Sequence, residues 1–139
     1  MRAWHFAVRD GESIVTYRGR QSVRVGETLT HDGPLIMCDS GLHASIRVID
    51  ALYYARGDIA CRVECGGEIV HGDDKIVCRE RTVLWMVDAG PVLRRFARLC
   101  ALDVLHLWPD PPEIVVRYLR TGDESIRAAA RAAARAVAL

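Results

Sequence analysis

The chain has 139 residues, half of them hydrophobic, and a formal net charge of +1, enough for one domain whose core needs no metal or disulfide staples. That composition excludes a disordered chain and a strongly basic nucleic-acid binder. No apolar run reaches the ~20 residues of a membrane span, and residues 1–9 lack the charged start, apolar core and small-residue site of a signal peptide.

Residues 2–9 alternate as a strand, with Ala3, His5 and Ala7 on one side and Trp4, Phe6 and Val8 on the other. Asp10-Gly11 signals a hairpin into a second strand over 14–17. Arg18-Gly19-Arg20 breaks that strand, and residues 23–25 read as a brief strand before Gly26. Asp32-Gly33-Pro34 and Asp39-Ser40-Gly41 are turns, from side chains that bond their own backbone and glycines that tolerate positive φ. Ser45 is placed to cap a helix over 46–56, with Ile46, Ile49, Leu52 and Tyr53 as its apolar stripe and Gly57 as its left-handed cap. Residues 59–70 alternate again, with Ile59, Cys61, Val63 and Cys65 on one face, until Gly66-Gly67 suggests a bulge. Gly72-Asp73-Asp74 turns the chain into 75–78, which makes a hairpin, and 82–87 reads as a buried strand. The side chains expected to be mostly buried are Trp4, Phe6, Ile49, Leu52, Ile59, Val63, Val83 and Trp85.

The character of the chain changes after Ala89-Gly90-Pro91. Pro91 suits the first turn of a helix, and Val92, Leu93, Phe96, Leu99, Cys100 and Leu105 are helically spaced. Trp108-Pro109-Asp110-Pro111-Pro112 stops that helix. A second runs over 113–120 to Thr121-Gly122, and Asp123 caps a third over 124–139, nearly all alanine. The fold class is therefore α+β: a twisted, mainly antiparallel sheet with one helix over 1–88, followed by a helical appendage over 91–139, the two forming one compact unit.

The central stretch resembles a domain of unknown function found in phage and actinobacterial proteins. The resemblance is carried by Cys38, Ser40, Gly41, Leu42, His43 and Ala44; by Tyr53 and Tyr54; by Val63, Glu64, Gly67, Glu68 and Ile69; and by Asp74, Lys75, Ile76 and Val77. It covers roughly residues 1–88 and implies a fold and a phage-related setting, with no settled activity. The order of elements is also similar to the ADP-ribosyltransferase fold, although no Ser-Thr-Ser triplet is present. That likeness implies His5 on the ribose of NAD, Tyr53 or Tyr54 stacked on nicotinamide, and Glu80 stabilising the positive charge that develops as nicotinamide leaves.

Each of these residues also has a structural reading. His5 suits a half-buried strand position, the tyrosines suit a helix face turned to the core, and Glu80 suits an ion pair with Arg79 or Arg81. His43, directly after Gly41-Leu42, either meets a ligand or bonds a carbonyl and fixes its loop. Cys61 and Cys65 lie ~13 Å apart on a continuous strand, too far to share one zinc, so no metal is expected and the cysteines read as core packing. Their odd number, five, without a secretion signal points to reduced thiols in a cytoplasmic protein. Arg127, Arg131 and Arg135 step by four along the alanine helix, either a solvated face or a basic stripe for a partner. From residue 91 onward there are eight basic and five acidic residues, so nucleic acid is weakly supported. The reading is an accessory protein that binds a macromolecular partner or itself through its C-terminal helices, away from membranes and without a cofactor. The alternative is an NAD-dependent ADP-ribosyltransferase-like enzyme.

Overall fold

A computed structural model describes residues 1–137, and two long strands, β5 (Ile59–His71) and β6 (Ile76–Asp88), form the hairpin at its centre. The chain divides into two compact units, Met1–Gly90 and Pro91–Leu139. In the first, β1 (Arg2–Asp10) pairs with β5 and with β2 (Ser13–Val15), while β3 (Thr28–Thr30) and β4 (Leu42–Ala44) pair with successive stretches of β6. All pairings are antiparallel, in the order β2-β1-β5-β6-β3 with β4 beside β6. The sheet curls until Ser45, just past β4, exchanges two backbone hydrogen bonds with Trp4 of β1 at 2.7 and 2.9 Å. Ala3, Ala7, Ile59, Cys61, Val63, Cys65, Ile76, Cys78 and Val83 fill the core inside that curl. The fold is α+β.

Two bulges set which side chains point inward. At the first, Gly67 takes φ of +67° and two β5 residues, Gly67 and Glu68, stand against Arg79, as the glycine pair implies. The second lies in β6, where Arg62 faces Trp85 and Val63 faces Val83, leaving Leu84 as an extra residue. That one-residue slip moves Trp85 to the outer face, so it is 45% exposed instead of buried. There it meets Trp4 edge-on, centroids 5.5 Å apart, and Arg62 covers the Trp4 ring at 4.7 Å.

Helix α1 (Val48–Tyr53) is shorter than expected, starting after Arg47 instead of Ser45. Ser45 gives its carbonyl to the Trp4 amide, so it cannot accept the first bond of a helix. The expected apolar stripe is consequently out of phase. Ile46 and Ile49 are exposed, Leu52 is half-buried, and the buried helix residue is Ala51. Gly57 is no left-handed cap. It is the point where the chain passes β1, since a Cβ there would collide with the carbonyl of Ala7 and the Cα of Val8. Residues 23–25 form no strand: Ser22 bridges Val15, Val23 is buried, and the strand falls at β3 instead. Residues 76–78 and 82–87 belong to one strand, β6, which leaves Lys75 in the turn before it.

The second unit comprises α2 (Gly90–Val104), α3 (Glu113–Thr121) and α4 (Arg127–Val137), with short 3-10 turns at Leu105–Leu107 and Glu124–Ile126. Gly122, with φ of +68°, ends α3, and Asp123 caps the following turn through Ser125 N. Expected helix residues 138 and 139 lie outside the described residues. No helix among the described residues is long and apolar enough to cross a membrane.

Candidate functional site

A cavity of about 650 Å³ opens in the first unit, bounded by β1, β4, the end of α1 and the loops before β4. One wall is the segment 38–45, every residue of which lines it. Gly41 makes that wall possible. Its φ is +114°, and a Cβ would strike the Val77 side chain. His43 fixes the same wall. Its Nε2 accepts from the Cys38 amide at 2.9 Å, and Nδ1 donates to the Gly41 carbonyl at 3.2 Å. Burial, the largest influence, draws the His43 pKa below its ordinary value. His43 thus serves the loop, and the loop serves the cavity.

Arg81 is the chemical centre. It rises from the middle of β6, is only 3% exposed, and lines the cavity. Its Nη1 donates to the His43 carbonyl at 2.5 Å and to His5 Nδ1 at 3.3 Å. A guanidinium only donates, so His5 Nδ1 must accept, and the imidazole proton sits on Nε2. That Nε2 is fully enclosed and has no partner among the described residues. Burial foremost, then the Arg81 cation, holds the His5 pKa well below its usual value, so the ring is neutral. Arg81 itself is pulled below the ordinary arginine value by burial, against the thiols of Cys78, Cys65 and Cys61. Burial pushes the Cys61 thiol up to about 11, which keeps it protonated beside the guanidinium.

Three more cations line the cavity. Arg18 is carried on a turn that the buried Thr16 side chain holds, donating to the Arg18 carbonyl at 2.6 Å and accepting from Gln21 N at 3.0 Å. Arg56 lies over the Tyr17 ring at 5.9 Å, and Lys75 over the Tyr54 ring at 3.9 Å. Tyr54 in turn donates to Asp74 at 2.5 Å. In this unit Arg2, Arg9, Arg20, Arg24, Arg47 and Arg79 each face a carboxylate. Among the described residues Arg18, Arg56, Arg62, Lys75 and Arg81 face none, and all but Arg62 line the cavity, where Asp39 is the sole acidic side chain.

Of the residues singled out from sequence, His5, His43 and Tyr54 line the cavity. Tyr53 does not; it is 82% exposed and packs edge-on against Tyr54. Glu80 does not either. It pairs with Thr30 and Gly66, is exposed, and turns its carboxylate over Gly66. It forms no ion pair with Arg79, which binds Glu68 at 2.9 Å. Arg127, Arg131 and Arg135 lie on α4, with Arg127 beside Glu124 at 3.5 Å. Among the described residues no three His, Cys, Asp or Glu are gathered to hold a metal. The sequence reading missed Arg81. Its one signal was an arginine two residues before Val83, on the inward side of an apolar strand.

The family model of a domain of unknown function (DUF7666) matches residues 10–95, more than half the chain. The chain belongs to that family. The matched span includes every cavity cation and the 38–45 wall, and begins after His5. No curated protein and no solved structure matches the chain.

Proposed function

We propose that the unit Met1–Gly90 is a binding domain for a small molecule carrying two or more negative charges. The observation that carries this is the sorting of cations. Six of the cations away from the cavity face carboxylates and Arg62 lies over a tryptophan, whereas none of the four at the cavity faces a carboxylate among the described residues. A buried guanidinium without a counter-ion is costly to the fold, and an entering anion supplies the missing charge. Rim cations raise the local concentration of such a ligand and hold its outer charge.

Calorimetry with inorganic pyrophosphate, ADP and NAD tests the reading. Pyrophosphate should bind one per chain and weaken as salt is added, since the rim cations are screened. Arg81→Met should weaken it roughly tenfold to a hundredfold, from the ~1.5–3 kcal/mol of a hydrogen bond to a charged group. Absence of heat with all three probes at millimolar concentration, from protein of native circular dichroism, would remove the proposal.

NAD is kept among the probes because His5 and Tyr54 both line the cavity. An ADP-ribosyltransferase-like reaction there would draw its carboxylate from Asp39, since Glu80 lies outside. The macromolecular partner expected from sequence fits the Arg127, Arg131 and Arg135 stripe instead. On that reading the chain is a phage-related accessory protein of the cytoplasm, its helices engaging the partner and its sheet sensing the anion.

A further inference from the structure

Cys38 opens the segment that walls the cavity, and anion binding alone gives it no role. It differs from the other cysteines. Cys61, Cys65 and Cys78 are buried in the core, and Cys100 is exposed on α2 of the helical unit. Cys38 is exposed, lines the cavity, and holds a left-handed φ of +68°. Two cavity residues fix it there. Its amide donates to His43 Nε2 at 2.9 Å, and its carbonyl accepts from Arg18 Nη1 at 3.2 Å. Met37, its neighbour, packs on Gly72 in the β5–β6 turn, whose amide bonds the Lys75 carbonyl at 2.8 Å. Cys38 and Lys75 line the same cavity, and the thiol holds the Lys75 ammonium above the ordinary lysine value. Arg81, 3% exposed, lines the same cavity, and its Nε and Nη2 have no hydrogen-bond partner among the described residues.

We propose that Cys38 is a reactive thiol that forms mixed disulfides with small anionic disulfides drawn in by the cavity cations. The preference for an anion rests on the binding reading above. The Cys38 thiolate attacks one sulfur of the reagent. A new S–S bond forms as the old one breaks, and the other half departs as a thiolate. The Cys38 sulfur is oxidised, the departing sulfur is reduced, and the Cys38 proton passes to solvent. Lys75 and Arg18, which line the same cavity, meet the negative charge of the reagent.

The test treats the full chain with a dianionic disulfide, 5,5′-dithiobis(2-nitrobenzoate), and a dicationic one, cystamine, and maps adducts by peptide mass spectrometry. Cys38 should take the first adduct from the dianion, with an anion-over-cation rate ratio about tenfold above that of Cys100. Cys100→Ser should leave the Cys38 rate unchanged, and Lys75→Gln, at a partly exposed position, should bring the Cys38 ratio down towards that of Cys100. Equal ratios at the two cysteines, or a Lys75→Gln protein that keeps the full preference, would overturn the proposal. Pyrophosphate calorimetry on the same preparation separates the two ideas. Binding with unselective thiols defeats the Cys38 proposal alone, whereas selective reaction without binding supports Cys38 and defeats the pyrophosphate reading.

Discussion

Arg81 brings a full positive charge into a β-sheet core and, among the described residues, meets a carbonyl, an imidazole nitrogen and three neighbouring thiols but no carboxylate. Stability alone does not favour that arrangement, because a buried charge is commonly replaced by an apolar side chain with no loss or with a gain of about 1–4 kcal/mol. Arg81→Met should therefore melt no lower than wild type while losing pyrophosphate, a separation that differential scanning calorimetry and titration would show together. His5 adds a dependence on pH. Its pKa is depressed in the folded chain, so the unfolded chain binds the proton more readily. The stability it contributes is complete above the unfolded value of 6.5 and is lost as pH falls from there towards the folded value. Melting temperature should decline below pH 6.5 before carboxylates titrate, and His5→Gln should flatten that decline. His43, shifted the same way, leaves a smaller slope behind. A slope unchanged by His5→Gln would place the effect elsewhere.

At the scale of elements, the cavity wall depends on Gly41 more than on any side chain it presents. Gly41→Ala meets a left-handed penalty of about 1–2 kcal/mol and an overpacking cost of ~1–3 kcal/mol where the new methyl strikes Val77. Chemical unfolding followed through the near-ultraviolet signal of Trp4 and Trp85 should report that loss, and a stability within error of wild type would refute the account of the wall. α4 stands at the other extreme. Ala130 is its one buried residue among those described, and alanine offers little apolar area. Its amides should exchange with deuterium earlier than those of β5 and β6.

For the whole molecule, the cavity lies within residues 4–81, all inside Met1–Gly90. Residues 1–90 expressed alone should fold and bind pyrophosphate with the affinity of the full chain. Loss of binding in that fragment, with its sheet intact by circular dichroism, would assign part of the site to the helical unit. The converse test concerns the stripe: Arg127→Glu with Arg131→Glu should leave pyrophosphate binding untouched while weakening capture of any partner engaged by the helices.

Alternation, glycine and proline determined most of the elements, since each acts over a few residues: the β5–β6 hairpin, the Gly67 bulge, the Gly122 cap and the α+β order all follow from local pattern. The same local rules misplaced α1, because the partner that keeps Ser45 extended is Trp4, 41 residues earlier. They also buried Trp85, because the extra residue Leu84 flips the strand only once Arg62 and Val63 fix the register. The cavity is a further step removed. Arg18, Arg56, Lys75 and Arg81 are ordinary basic residues in the sequence, and what distinguishes them is that they line one cavity without an ion pair among the described residues. Charge neutralisation acts through space, so only the curl of the sheet decides which cations are left without an ion pair.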